Sequence, residues 1–228
     1  EGSRIGIVFN GSPLHTGDSG GGESEIRRWI IENDLLECVI SLSNQLFFNT
    51  DIPTYIWLVS NNKKPHRKGK IQLVDGSNFY RTIRKSLGSK RKEISPEQRD
   101  ELINIYHNFE ENEFSKIYDN EFFGYTKVIV EHPLKENGEV VKKKDGSLKP
   151  DTSLRDYERI PLSENIDDYY NREVKPHFPN SWMDRSKDTV GYEIHFTRYF
   201  YQYKSLRSLE DITHDLLELE KESTVIFK

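Results

Sequence analysis

Cysteine and methionine are almost missing from this chain of 228 residues, which has only Cys38 and Met183. A single cysteine excludes an internal disulfide and suits a reducing cytoplasm. The apolar run around Cys38 marks it for the core, not for thiol chemistry. With Met183 as the only methionine, the chain is expected to be part of a longer protein. No apolar stretch approaches the roughly 20 residues of a membrane-spanning helix, and no secretory leader pattern opens the sequence, so no membrane partner is expected. The seven histidines form no H-x-x-x-H pair and have no cysteine partners, so no metal is expected. Serines lack the G-x-S-x-G elbow of a hydrolase, and there are no internal repeats.

What is present suits one substantial core, with 34% hydrophobic and 12% aromatic residues. The net charge of -5 speaks against a polyanionic partner, yet the charge is segregated. Residues 61–92 hold eleven cations, Lys63, Lys64, Arg67, Lys68, Lys70, Arg81, Arg84, Lys85, Lys90, Arg91 and Lys92, against the single acid Asp75. Such a run is either a solvated loop or a contact to DNA phosphates, because clustered Lys and Arg release condensed counterions on binding.

The periodicity predicts a strand over 4–10, a helix over 23–33 with Ile26, Trp29 and Ile30 on one apolar face, and strands over 35–42, 54–60 and 70–76. Buried apolar strands interleaved with helices are the grammar of an α/β sheet. Ser95, Pro96 and Gln98 spell a capping box opening a helix to about residue 112, with Leu102, Ile105, Tyr106 and Phe109 on one side. A strand over 122–134, an exposed hairpin over 137–147, a helix over 163–175, an extended aromatic segment over 192–203 and a helix over 208–222 capped by Ser208 follow. That last helix carries Leu209, Ile212, Leu216 and Leu219 at 3, 4, 3 spacing. The stripe packs either on its own domain or on a partner.

Gly20, Gly21 and Gly22 precede the first helix in the manner of a phosphate-binding loop, but Asp18, Glu23 and Glu25 surround them. A helix N-terminus that binds phosphate offers N–H groups and partial positive charge, which carboxylates oppose. Neither a P-loop ending nor G-x-G-x-x-G is present. The glycines therefore read as a hinge. Pro150-Asp151 with Glu173-Val174-Lys175 imitates a metal-dependent nuclease signature, although its Glu-x-Lys falls in a predicted helix where a strand is wanted.

"RIGIVFNGSPL", the glycine loop, "ESEIRRWIIENDLLECVISLSNQLFFNTDIPTYIWLVSNNK" and "RKGKIQLVDGS", followed by "FFGYTKVIVEHPL", "REVKPHFPNSW" and "VGYEIHFTRYFYQYKSLRSLEDI", resemble in order the methylation subunit of type I restriction-modification systems, an N6-adenine DNA methyltransferase. The resemblance implies an α/β fold, with 1–93 as the C-terminal part of a Rossmann-like methyltransferase sheet and 94–228 as a mixed α+β extension ending in a docking helix. It implies S-adenosylmethionine as cofactor of the full subunit, and DNA, a specificity subunit and a restriction subunit as partners. The family's Asn-Pro-Pro-aromatic motif is absent, and "DNEFFGY" (119–125) has bulky residues where a cofactor loop needs glycine. The chain is thus expected to hold no catalytic residue and to be inactive alone.

Target adenines are methylated only after flipping out of the duplex into an aromatic pocket. "LFFNTDIPT" matches the family's late motif, in which Phe47, and after it Phe48, can lie against the flipped base. Packing in the core is the other possibility for either ring. The glycine loop then becomes a mobile flap near the target base. A non-catalytic module tethering the methyltransferase to its specificity subunit is the alternative function.

Overall fold

The computed structural model describes residues 2–203 and 207–226. Strands β1 (Arg4–Phe9), β2 (Leu36–Leu42), β3 (Thr54–Ser60) and β4 (Lys70–Gly76) form one sheet; after the hairpin β5 (Arg81–Leu87) and β6 (Lys90–Glu93), β7 (Ser115–Asp119) completes it. The order is β1-β3-β2-β4-β7. Only β2 and β4 run parallel; the other neighbours are antiparallel. The chain is therefore mixed α/β. β2 is buried along nearly its whole length, which is why "LECVISL" reads as a continuous apolar run and not as an alternation.

A second, three-stranded antiparallel sheet has β8 (Gly124–Glu131) at its centre. An exposed arm follows β8, built on the two-residue strands β9 (Lys135–Glu136) and β10 (Glu139–Val140), where a hairpin is expected. The flanking strands are β11 (Asp156–Pro161) and β12 (Trp182–Tyr192), neither of them anticipated. One core spans both sheets: Leu14, Ile31, Trp57, Leu73, Phe123, Tyr192 and Ile194 pack together. β7 joins the sheet of the first 93 residues and the second sheet shares their core, so contacts cross the expected boundary at 93/94.

Three helices frame the first sheet. α1 (Ser12–His15) is a single turn, and α2 (Gly22–Glu32) starts at Gly22, which is helical and not part of the hinge. α2 buries Ser24, Arg27 and Ile31. The predicted Ile26 and Trp29 face is instead exposed, and Ile26 borders an apolar groove with Ile7, Phe9, Trp57 and Val59. Arg27 is turned inward, where carbonyls take two of its three nitrogens: Nη1 donates to Pro13 O and Thr16 O, each at 3.0 Å, and Nε to Tyr192 O, while Nη2 is buried without a partner.

α3 (Pro96–Asn108) opens with the predicted capping box, Ser95 and Gln98 exchanging bonds of 3.1 and 3.3 Å. It ends four residues early because Phe109 turns left-handed at φ 53°. In the second half, α4 (Ile166–Tyr169) runs into a π turn over Tyr170–Val174, so the helix expected there is a short, widened one. The extended reading of 192–203 is corrected: β12 stops at Tyr192, and Phe196–Phe200 form helix α5, whose Phe196 is buried beside Tyr55. α6 (Leu209–Ile226) closes the chain behind its Ser208 cap, Asp211 N to Ser208 Oγ 3.1 Å. No helix among the described residues is long and apolar enough to cross a membrane.

Candidate nucleic-acid interface

β2 and β4 are parallel, so their carboxyl ends share one edge of the sheet. Open α/β sheets bind ligands at such an edge, because the loops leaving it enclose a crevice. A cavity of about 390 Å³ lies there, walled by Ser41–Asn44, Tyr55, Asp75, Asn78, Tyr80, Lys92 and the α5 residues Phe196 and Phe200. Burial, with the Asp75 charge added, raises the Tyr55 phenol pKa, so that hydroxyl stays protonated and can donate.

The loop after β2 carries the predicted aromatics. Leu46 drops into the core, whereas Phe47 and Phe48 are 40% and 62% exposed. They lie on a turn and not on a strand, so both face outward and the alternation expected of adjacent strand residues does not apply. Core packing therefore does not account for either ring. Gln45 and Asn49 hold left-handed backbone at φ 60° and 56°, which bends the loop back.

The β5–β6 hairpin supports this loop. Gly88 turns it at φ 61°, a conformation two-residue hairpin turns favour, beside Asn49 Oδ1. Gln45 O accepts from Arg91 N at 3.0 Å and Lys92 N at 3.2 Å. Lys92 Nζ donates to Ser43 Oγ at 2.7 Å and Asn44 Oδ1 at 2.9 Å while lying 3.8 Å from the Tyr80 ring centroid. Lys90 reaches over the Phe48 ring at 5.4 Å. An exposed aromatic pair thus lies against a cationic hairpin, a combination suited to stacking bases and meeting phosphates.

The eleven cations do not form one patch. Those of 63–70 lie before β4 or, in Lys70, at its first residue, and those of 81–92 follow it, so the strand's length, about 20 Å, separates the two groups. Lys63 and Arg67 are corrected outright as DNA contacts, being 4% and 2% exposed. Lys63 Nζ is tied to Asp34 at 2.5 Å and to Lys70 O at 2.7 Å. Arg67 lies between the Tyr106 and Phe109 rings, 4.3 Å from each centroid, with Glu37 3.6 Å away. Lys64 and Lys68 are exposed, and Lys70 meets Asp119 at 3.7 Å. In the hairpin, Arg81 pairs across the strands with Glu93 at 2.9 Å. Among the described residues, Arg84, Lys85 and Arg91 are exposed with no acidic partner.

The glycine loop leaves the same edge of the sheet, since β1 runs parallel to β2. Gly20 adopts φ 84°, and Gly21 caps α2 without binding a side chain. The loop is tethered to the second sheet through the Asp18–Lys127 ion pair and a 2.7 Å bond between Ser19 and Thr189. The Lys127 hydrogen bond holds the Asp18 carboxyl below the usual range. Movement of the loop has to break this pair.

No cluster of three or more His, Cys, Asp or Glu side chains able to hold a metal occurs among the described residues. Asp151 is turned onto its own Ser153 at 2.6 Å and Glu173 onto Arg172 at 2.7 Å, within a π turn. Within residues 119–125, Phe123, Gly124 and Tyr125 are buried, and any side chain at Gly124 would strike Leu162, while Asp119, Glu121 and Phe122 are exposed. Bulky side chains thus stand in this stretch where a cofactor loop needs glycines. Burial raises the Cys38 thiol pKa and keeps it inert.

A mixed α/β sheet thus carries an exposed aromatic loop and a cationic hairpin at its carboxyl edge. The chain belongs to the N-6 DNA Methylase family, whose model matches residues 1–144. It is 33% identical over 119 residues to the type I restriction enzyme MjaVII methylase subunit of Methanocaldococcus jannaschii, covering 52% of this chain and 20% of that protein. Against the MjaIX methylase subunit of the same organism it is 30% identical over 164 residues, 68% of this chain and 27% of that protein. The crystal structure of a type I restriction-modification methyltransferase subunit from Streptococcus thermophilus aligns with 53% of this chain and 24% of its own, at 21% identity and TM-score 0.45. The chain thus spans between a fifth and about a quarter of the length of these relatives.

Proposed function

We propose that this chain is part of a type I restriction-modification subunit that transfers a methyl group from S-adenosylmethionine to adenine N6 in DNA. Within that subunit it supplies the last strands of a Rossmann-like sheet and one wall of the target-base site. The observation that carries this reading is the exposed Phe47–Phe48 pair held against the basic hairpin at the sheet's carboxyl edge. A flipped adenine needs an aromatic face and the surrounding duplex needs cations; the loop and hairpin offer both side by side. Ser43, Asn44 and Lys92 position the loop, while cofactor binding and polarisation of the amino group fall to residues elsewhere in the subunit. The isolated chain is then inactive and binds S-adenosylmethionine negligibly.

In a complete subunit carrying this segment, Phe47→Ala is expected to lower methylation of a specific duplex at least tenfold with an unchanged thermal midpoint, because the ring lies outside the core. Equal losses of activity and stability would return Phe47 to a packing role. α6 supports a partner role alongside this one: every side chain described on it is exposed, Leu209 at 82% and Leu216 at 62%, so the stripe is not buried on its own fold. We assign it to docking on a helix of the specificity subunit, through which the restriction subunit joins the assembly.

A further inference from the structure

A cavity of about 730 Å³ lies outside the candidate site, between the 141–150 end of the arm, the turn at Pro179–Ser181 and β12. Four cations line it, Lys143, Arg155, Lys175 and Lys187, with the Trp182 ring among them. Two acids also line it, each paired with a cation of the same cleft, although Glu131 Oε2 is buried without a hydrogen-bond partner. Glu131, buried, takes both Arg155 Nε at 2.9 Å and Nη2 at 2.7 Å on one oxygen. Asp184 is paired with Lys187 at 2.8 Å and bonded to Ser186 Oγ at 2.6 Å. Lys143 and Lys175 are exposed and meet no carboxylate among the described residues. Lys175 Nζ is aimed by the Ser181 carbonyl at 3.5 Å and the Tyr170 ring at 5.4 Å. Asp145, whose charge Lys143 feels, is turned onto Ser147 Oγ at 2.6 Å. Exposed Lys142, Lys144 and Lys149 extend the positive charge along the arm, so four lysines face one acid over 141–150.

A cleft lined by unmatched cations and an aromatic side chain, with an arm continuing the charge, complements an extended polyanion with flat groups. We propose that this cleft is a second nucleic-acid contact, in which Lys143 and Lys175 meet phosphates of one strand and Trp182 lies against a sugar or base. It rests on the DNA reading above only in the choice of DNA as partner. Its residues are separate from the hairpin and from the Phe47 loop.

The test uses the whole chain and a fluorescein-labelled DNA duplex, with affinity followed by anisotropy across a salt series. Lys143→Gln with Lys175→Gln is expected to lower the log–log salt slope by about two units at an unchanged thermal midpoint, both side chains being exposed. Photo-crosslinking with thiothymidine-bearing DNA should label a peptide containing Trp182. A slope unchanged by this pair but lowered by Arg84→Gln with Lys85→Gln overturns the cleft and leaves the hairpin reading standing. If neither pair moves the slope, both fall. Displacement of the DNA by poly-L-glutamate at equal charge concentration, through the cleft lysines, also overturns the proposal and makes the occupant an acidic polypeptide.

Discussion

The guanidinium of Arg67 stacks on the ring of Tyr106, its carbon 4.3 Å from the ring centroid, and beneath them Glu37 accepts the Tyr106 hydroxyl at 2.8 Å. Gln72 completes this buried group, accepting from Arg67 Nη1 at 3.0 Å and donating to Ser115 Oγ at 3.0 Å. Arg67→Ala is expected to cost roughly 3–5 kcal/mol in urea unfolding, the usual range when one member of a buried pair is removed. Replacing the exposed Arg84 or Lys85 by Ala should leave the midpoint in place and instead flatten the salt dependence of DNA affinity, by up to about one unit of slope for each phosphate no longer neutralised. A salt slope that responds to Arg67 in a folded protein would contradict this division.

The same group predicts an alkaline limit to stability. Burial, reinforced by the hydrogen bond to Glu37, pushes the Tyr106 phenol up to about 12, and burial and Glu193 do the same for Tyr125. A tyrosine of the unfolded chain ionises near pH 10. The folded pKa is the higher, so the stabilisation is complete below pH 10 and is lost as pH rises from 10 towards 12. Urea midpoints measured from pH 8 to 11.5 should fall steeply above pH 10, and less steeply in Tyr106→Phe. Parallel curves for the two proteins would remove Tyr106 from the effect.

Lys92 joins the hairpin to the aromatic loop through Ser43 and Asn44. Lys92→Met keeps the apolar stem and removes three donors. Amide hydrogen exchange across 44–49 should accelerate severalfold, while protection in β2 and β3 stays as it was. Phe47 then samples more orientations, and methylation by a complete subunit should fall with it. Unchanged exchange across the loop would mean that the backbone bonds from Arg91 and Lys92 to Gln45 suffice to hold it.

α6 is a single helix of 18 residues, a length marginal in water without packing. Leu216→Asp is expected to abolish assembly with the specificity subunit in size-exclusion chromatography and to leave the thermal midpoint of the chain unaltered, since Leu216 is exposed. Retained assembly would place the docking surface elsewhere.

The linear pattern determined the elements that depend on near neighbours. β1, β2, β3, β4, α2 and α3 follow from apolar runs, cap residues and turns, and Ser95 with Gln98 identified a helix start because both partners lie within one turn. The succession of blocks also determined the family. Tertiary structure decided which residues share a surface. Lys63 and Arg67 belong to a basic run in sequence, but Asp34, Glu37 and Tyr106, all distant along the chain, draw them inside. Arg27 displaces Ile26 and Trp29 from the buried face of α2 because the carbonyls of Pro13, Thr16 and Tyr192 converge on it, Tyr192 being 165 residues away. β11 and β12 were invisible as strands because their charged sequences gain strand structure only by pairing with β8. Whether a charge is solvated or buried depends on partners brought together by folding, and spacing along one strand or helix does not encode them.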